Sequence, residues 1–284
     1  MVRLTGLLRY PVKSCRGTPE DRLPVERAGL AGDRRWMVVD PDGVMVTGRK
    51  HPRLVLAAPR LPDGGGLEVT GPGLPVLRVA EPDPAVGTVP VRVHRSETAG
   101  VPAGPVAGRW FSRLLGTDVR LVHLDDPDRR RPDPEFSRPQ DRVSYADGYP
   151  LLLTSQDSLD ALNELVADGP HAAEGPLPMS RFRPNLVVSG AAPWAEDGWR
   201  RITVGDVAFR VAKPCARCVF TTVDPVTADR GREPMVTLAR HRRVGGGVLF
   251  GVNLIPDPDP DPDPDPDPEL RVGDELTVTG RARS

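Results

Sequence analysis

Aromatic side chains make up only 5% of this 284-residue chain, and cysteine occurs three times. Three thiols cannot staple a fold of this length, which excludes a disulfide-built scaffold. No apolar run approaches the ~18 residues that read as a membrane-spanning helix. The start, Met1-Val2-Arg3-Leu4-Thr5-Gly6, runs into a strand pattern with no signal-peptide character. A cytoplasmic, reducing compartment and no membrane partner are therefore expected. Charge of one sign is missing too: the formal net charge is −1. That value conceals an asymmetry, because an Asp-Pro repeat from Pro256 to Pro268 holds Asp257, Asp259, Asp261, Asp263, Asp265 and Asp267; without these six the charge is +5. A mildly basic body suits a small anionic ligand and falls far short of the field that nucleic acid demands.

What remains is a globular composition, 38% hydrophobic and 27% charged, long enough for one or two domains. The 34 prolines predict many turns and short elements. The first ~12 residues read as a strand entering a polar turn. Residues 35–40 and 44–47 form an expected hairpin across Pro41-Asp42-Gly43. Strands are expected at 54–58, 66–69, 76–79, 89–94 and 119–123, with a helix at 106–115. Residues 125–140 are charged and proline-rich and read as a solvated joint, Arg129-Arg130-Arg131 included. Apolar Leu151-Leu152-Leu153 precedes a helix at 156–167, with Thr154 and Asp157 at capping-box spacing and Leu159, Leu162, Leu165 and Val166 on one stripe. Strands follow at 185–189, 201–204, 207–211, 218–223, 248–255 and 275–279, with a short helix at 236–242. The fold class is mainly β with α (α+β), its many short strands suggesting a closed or half-closed barrel. The repeat at 256–268 is expected as an extended, solvated loop, since each proline removes a donor and restrains its predecessor.

Chemistry centres on Lys213-Pro214-Cys215-Ala216-Arg217-Cys218. Cationic neighbours favour thiolate, the form that ligates metals and attacks electrophiles. A structural zinc site wants a second CxxC or a His pair, and His51, His94, His123, His171 and His241 are scattered. A thioredoxin-like motif would open a helix, whereas a β-branched run follows here. One thiolate on a soft, redox-active metal and two inert thiols are the other readings. Lys13 and Ser14 after the first strand, Arg34, and Arg183 with Asn185 around Pro184 are candidate anion-binding groups, because arginine forks match phosphate oxygens.

Several motifs occur in order: Tyr10-Pro11-Val12-Lys13-Ser14-Cys15-Arg16-Gly17, Gly32-Asp33-Arg34-Arg35-Trp36, Asp147-Gly148-Tyr149-Pro150, Phe182-Arg183-Pro184-Asn185, Cys215-Ala216-Arg217-Cys218, Thr221-Thr222-Val223-Asp224-Pro225 and Phe250-Gly251-Val252-Asn253. Nearly the whole chain resembles the MOSC family with its N-terminal β-barrel module, in the branch of the amidoxime-reducing component and its bacterial relatives. The resemblance implies an N-terminal module over 1–124, with its first stretch (1–34) completing the C-terminal barrel, and a cofactor-binding domain over 125–284. It implies the molybdenum cofactor (Mo-molybdopterin), with Cys218 as metal ligand and Cys215 as a non-ligand. Lys13, Ser14, Arg34, Arg183, Asn185 and Arg217 match positions that hold the pterin and its phosphate, and Asn253 lines the same site. Gly148, Tyr149 and Ala216 stand where small hydroxyl residues are common, leaving backbone N–H groups to serve. The implied activity is reduction of N-hydroxylated or related N–O and S–O compounds by oxygen-atom transfer. Electrons would come from a separate ferredoxin- or flavoprotein-like donor. The alternative is a sulfur-carrying persulfide or cofactor carrier without turnover.

Overall fold

Runs of leucine, valine and isoleucine at alternating positions supply seven strands that close on themselves. In a computed structural model describing residues 1–257 and 268–281, they are β1 (Val2–Arg9), β2 (Leu151–Ser155), β3 (Leu186–Ser189), β4 (Trp199–Val204), β5 (Val207–Ala216), β6 (Gly247–Pro256) and β7 (Glu275–Arg281). Their order is β2-β3-β1-β7-β4-β5-β6, and β6 pairs back onto β2 through Leu151↔Leu254 and Leu153↔Val252. Of these strand pairs only β2 and β3 run parallel, joined by a crossover that carries the helix Gln156–Ala167. Closure leaves no open edge on the barrel path. Its interior is filled by Leu4, Leu7, Leu153, Val188, Ile202, Phe209, Val252 and Leu254, all buried. Gly251, at φ +74°, lets β6 pass β2: a Cβ there would lie 2.6 Å from the Leu153 carbonyl oxygen.

Helix α1 (Gly104–Leu115) belongs to the N-terminal part, while α2 (Gln156–Ala167) and α3 (Met235–His241) pack on the barrel with Phe182 and Phe250, whose rings stack at 3.9 Å. The N-terminal part holds two small sheets. One orders Trp36–Val39, Arg120–His123, Ser96–Pro102 and Val89–Val93; the other joins Ala58–Arg60, Leu67–Thr70 and Leu77–Val79. α1 buries Trp110, Phe111 and Leu114 against them. The first strand, β1, lies between β3 and β7 in the barrel, although the sheets of this module follow it in sequence.

Several expectations need correction. Residues 54–58 are not a strand: Pro52–Leu56 is a 3-10 turn, its proline presetting φ at the first position, and the strand begins at Ala58. The hairpin at 35–47 is reduced to a tip. Trp36–Val39 takes Arg120–His123 as its full partner, and only a bridge, Val39↔Met45, marks the return. The capping box is absent. Ser155 is the N-cap, and Thr154 Oγ1 turns to Met179 Sδ at 3.2 Å. The strand expected at 218–223 is a 3-10 turn, Val219–Thr222, with Cys218 at its N-cap. The hydroxyls of Thr221 and Thr222 donate to the Cys218 and Val219 carbonyls at 2.9 and 2.8 Å, so local back-bonding defeats the β-branched pattern. Strand Ser96–Pro102 escaped the sequence pattern because Gly100 and small residues interrupt it.

The joint at 125–140 is not wholly solvated either. Arg130 is 4% exposed and donates to the carbonyls of Ser144, Ala146 and Asp147. Those carbonyls sit on a loop that has no strand to satisfy them. Most of the Asp-Pro repeat lies outside the described residues. Its first members are inside, and they depart from a solvated loop: Pro256 closes β6, and Asp257 is nearly buried between Arg201, Arg138 at 2.9 Å and Arg210 at 3.3 Å.

Candidate functional site

A cavity of about 290 Å³ opens at one end of the barrel. The residues marked in the sequence reach its wall from six stretches of chain far apart in sequence. Lys13 and Ser14 follow β1; Arg34 lies before Trp36–Val39. Gly148 and Tyr149 precede β2, and Arg183 and Asn185 precede β3. Ala216, Arg217 and Cys218 follow β5, and Asn253 lies in β6. Every residue singled out in the sequence thus lines one cavity. Thr47, Arg49, Asp147, Lys213 and Phe220 also line it; of these only Lys213 was marked in the sequence as a chemical neighbour.

Strand β5 shows how the local sequence serves the site. Its ladder with β6 slips between Val211 and Lys213 and again between Pro214 and Ala216. Pro214, which has no N–H to give, is tolerated at such an irregularity. Strict alternation would send Cys215 and Ala216 to opposite faces, yet both reach the cavity. The strand therefore runs five residues beyond the expected end at 211.

Three of the marked residues have left-handed backbones: Ser14 at φ 67°, Arg34 at φ 49° and Arg183 at φ 58°. A non-glycine residue in this region costs about 1–3 kcal/mol and persists where its surroundings hold it. Arg34 Nη1 donates to Asn185 Oδ1 at 2.9 Å and also pairs with buried Asp33. Arg183 Nη1 donates to the Cys15 carbonyl at 2.6 Å. Both guanidiniums lie over the Tyr10 ring, at 4.5 and 4.4 Å from its centroid. Burial pushes the Tyr10 phenol up to about 12 and the Cys15 thiol up to about 12, so both are neutral. Asn185 is committed to protein partners: its oxygen accepts from Leu152 N at 3.2 Å and its amide donates to the Leu8 carbonyl at 3.2 Å. It ties β1 and β2 at the cavity floor.

The electrostatics are lopsided. Lys13, Arg34, Arg49, Arg181, Arg183, Lys213 and Arg217 face the cavity, and Asp147 is the one carboxylate among the described residues in its wall. Lys13 Nζ is held by Asp147 and by the Tyr145 carbonyl at 2.7 Å; burial pulls its ammonium down to about 8, and Asp147 opposes that. Arg181 is paired with Asp224 at 3.2 Å. Among the described residues no carboxylate pairs with Arg183, Lys213 or Arg217. Their contacts are carbonyls, rings and sulfur: Lys213 Nζ lies 4.6 Å from the Phe136 ring centroid, and Arg217 Nη2 donates to the Phe182 carbonyl at 2.7 Å. Burial holds the Arg183 guanidinium below its usual range. Three cations held without counter-ions are an anion site in waiting.

The thiols differ in setting. Arg217 Nη1 points at Cys215 Sγ, 3.0 Å away, so the cation expected to serve Cys218 serves Cys215. Cys15 is buried behind the wall, and no two cysteines are bonded. Among the described residues there is no cluster of three or more His, Cys, Asp or Glu side chains able to hold a metal. A Cβ added at Gly148 would meet nothing within 4 Å, so that position leaves the cavity wide.

Comparison with known proteins agrees with this architecture. Residues 1–118 match the MOSC N-terminal beta barrel domain, and residues 140–277 match the MOSC domain. The chain belongs to the MOSC family. Human mitochondrial amidoxime-reducing component 1 is 36% identical over 244 residues, covering 82% of this chain and 70% of that protein. The mouse protein of the same name is 35% identical over 282 residues, 96% of this chain and 81% of its own. Bovine mitochondrial amidoxime reducing component 2 is 34% identical over 246 residues, 82% and 70%. These MOSC relatives are named for the mitochondrion, not for the cytoplasm expected above. Among the described residues no helix is long and apolar enough to cross a membrane.

Proposed function

We propose that this MOSC protein is a molybdenum-cofactor-dependent reductase of N-hydroxylated and related N–O and S–O compounds, with Cys218 as the protein ligand to the metal. The observation that carries the proposal is the convergence of the Cys215 and Cys218 thiols with three cations that lack carboxylate partners, Arg183, Lys213 and Arg217, in one cavity; the choice of Cys218 as ligand follows the family resemblance. A soft metal needs the thiolate, and a phosphorylated pterin needs the cations. The buried Arg217 Nε has no hydrogen-bond partner, an unmet donor that such a group would satisfy. The residues present therefore fit the cofactor. The relatives' name, amidoxime-reducing component, supplies the substrate class.

When bound, the cofactor would supply two-electron oxygen-atom chemistry on N–O and S–O bonds. The protein's part is to bind and orient. Arg183 and Arg217 are fixed by backbone carbonyls, so little ordering entropy is lost when they meet an anion. Tyr149 and Phe136 hold the Lys213 ammonium over their faces. Asn185 and Arg34 brace the floor. Asp147 and Arg49 sit in the wall as polar groups for a small substrate. Electrons come from a separate ferredoxin- or flavoprotein-like donor.

The test is metal and pterin analysis of purified protein, with reduction of an aryl amidoxime driven by a chemical reductant. Stoichiometric molybdenum and pterin with turnover are expected. Cys218→Ser loses metal and turnover, while Cys215→Ser retains both. Equal loss in the two variants would overturn the assignment of the ligand. Cyanide-labile sulfur on metal-free protein without turnover would overturn the reductase reading in favour of a sulfur carrier.

A further inference from the structure

The cavity's carboxylate has a partner that belongs to the other half of the molecule. His94 sits at the tip between strands Val89–Val93 and Ser96–Pro102 of the N-terminal module, in the left-handed region at φ 54°. Its Nε2 lies 3.2 Å from Asp147 Oδ1. That nitrogen donates to Asp147 and so accepts nothing from Arg49 Nη2, which lies 3.0 Å from it and acts on the carboxylate directly, 3.9 Å from Asp147 Oδ2. On its far side Asp147 Oδ1 takes the Lys13 ammonium. The row is thus Arg49 and His94 from the module, Asp147 from the loop before β2, and Lys13 after β1. Arg130 and Arg34 also act on Lys13, both opposing its charge.

We infer that His94 is a positioning residue: it holds Asp147 against Lys13 and so keeps that buried ammonium charged, which makes the N-terminal module a working part of the cavity. The Asp147 side chain is 64% exposed. A carboxylate that open has room to shift, and it is held by Lys13 on one hand and by His94 and Arg49 on the other. Lys13 is 4% exposed and has no such freedom. Its charge depends on a nearby anion, because burial alone drives a lysine toward the neutral amine. His94 and Arg49 hold Asp147 from the N-terminal module, at 3.2 and 3.9 Å. Two of the three Lys13 donors are used, on Tyr145 and Asp147; the third is left for a ligand. Lys13 loses its charge as pH rises through about 8. Without His94 the carboxylate drifts, the opposing effect of Asp147 weakens, and the loss comes at lower pH.

This inference relies on the cofactor reading only for its consequence, retention of an anionic ligand near neutral pH, and its test needs no cofactor. The chain has three lysines, Lys13, Lys50 and Lys213. Protein labelled with 13C at the lysine ε-carbon gives three resonances, assigned with Lys50→Arg and Lys213→Arg, and each is followed against pH. In His94→Leu the Lys13 midpoint is expected to fall by about half a pH unit or more while Lys50 does not move. His94→Gln, which retains a donor for Asp147, is expected to recover most of the fall, and Asp147→Asn to exceed it. An unchanged Lys13 midpoint in His94→Leu overturns the inference, as does failure of His94→Gln to recover. Absence of molybdenum from wild-type protein would sink the functional reading and leave this titration standing.

Discussion

Replacing Tyr10 with phenylalanine is expected to leave the protein as stable as before or more stable, although the residue is buried at the heart of the site. Arg34 and Arg183 both lie over the Tyr10 ring, their guanidinium carbons 4.5 and 4.4 Å from its centroid. Each desolvated stack of this kind is worth about 2 kcal/mol, and phenylalanine offers the same ring. The hydroxyl contributes nothing visible: Tyr10 Oη is buried without a hydrogen-bond partner. Such an unpaired group costs about 1–3 kcal/mol, which Tyr10→Phe removes. The phenol is held up to about 12, so no charge is lost at ordinary pH. Tyr10→Leu is the contrast. It forfeits both stacks, about 4 kcal/mol if they add. Urea unfolding of the three proteins, compared at a common m-value, reads the difference. If Tyr10→Phe falls more than about 1 kcal/mol below wild type, the hydroxyl has a partner and the reasoning is wrong.

Two further outcomes follow from the same geometry. A Cβ at Gly48 would lie 2.1 Å from the Phe220 ring, which itself sits 5.3 Å from Arg183; Gly48→Ala is expected to cost about 1–3 kcal/mol, and an unchanged thermal midpoint would mean that Phe220 swings aside freely. Glu196 is fully buried, and burial raises its carboxyl above the usual range. A raised acid favours the folded state when protonated, so its stability contribution is lost as pH rises. Glu196→Gln is therefore expected to be the more stable protein at pH 7, with an advantage that narrows as pH falls through the carboxylate range; equal stability at every pH would refute this.

Much of the architecture was legible in the chain. The alternating runs that became β1, β4 and β6 and the apolar stripes of α1 and α2 lie within a few residues of their expected places, because hydrophobic periodicity is a local signal. Where side-chain hydroxyls or proline compete with the backbone, the pattern misled. Thr221 and Thr222 bend the chain after Cys218 into a 3-10 turn, and Pro52 turns an apolar run into another. Arg130 was misread for a different reason. A run of arginines in a proline-rich stretch looks solvated, and only the folded loop at 144–147 offers the carbonyls that draw one of them inside. His94 gave no signal, since its partner is more than fifty positions away.

The order of residues alone decided that this would be a β-rich body with little net charge, few thiols and a CxxC beside basic side chains. Membership of the MOSC family follows from motifs spelled along the chain. Folding decided which of those groups meet. Barrel closure brings the ends of β1, β3 and β5 to one opening, the slips in β5 turn Cys215 and Ala216 toward it, and left-handed bends aim Ser14, Arg34 and Arg183. Folding also sent Arg217 to Cys215 and enlisted His94 from the neighbouring module. Contacts between distant stretches depend on register and twist accumulated over the whole sheet, and no short window of sequence encodes those quantities.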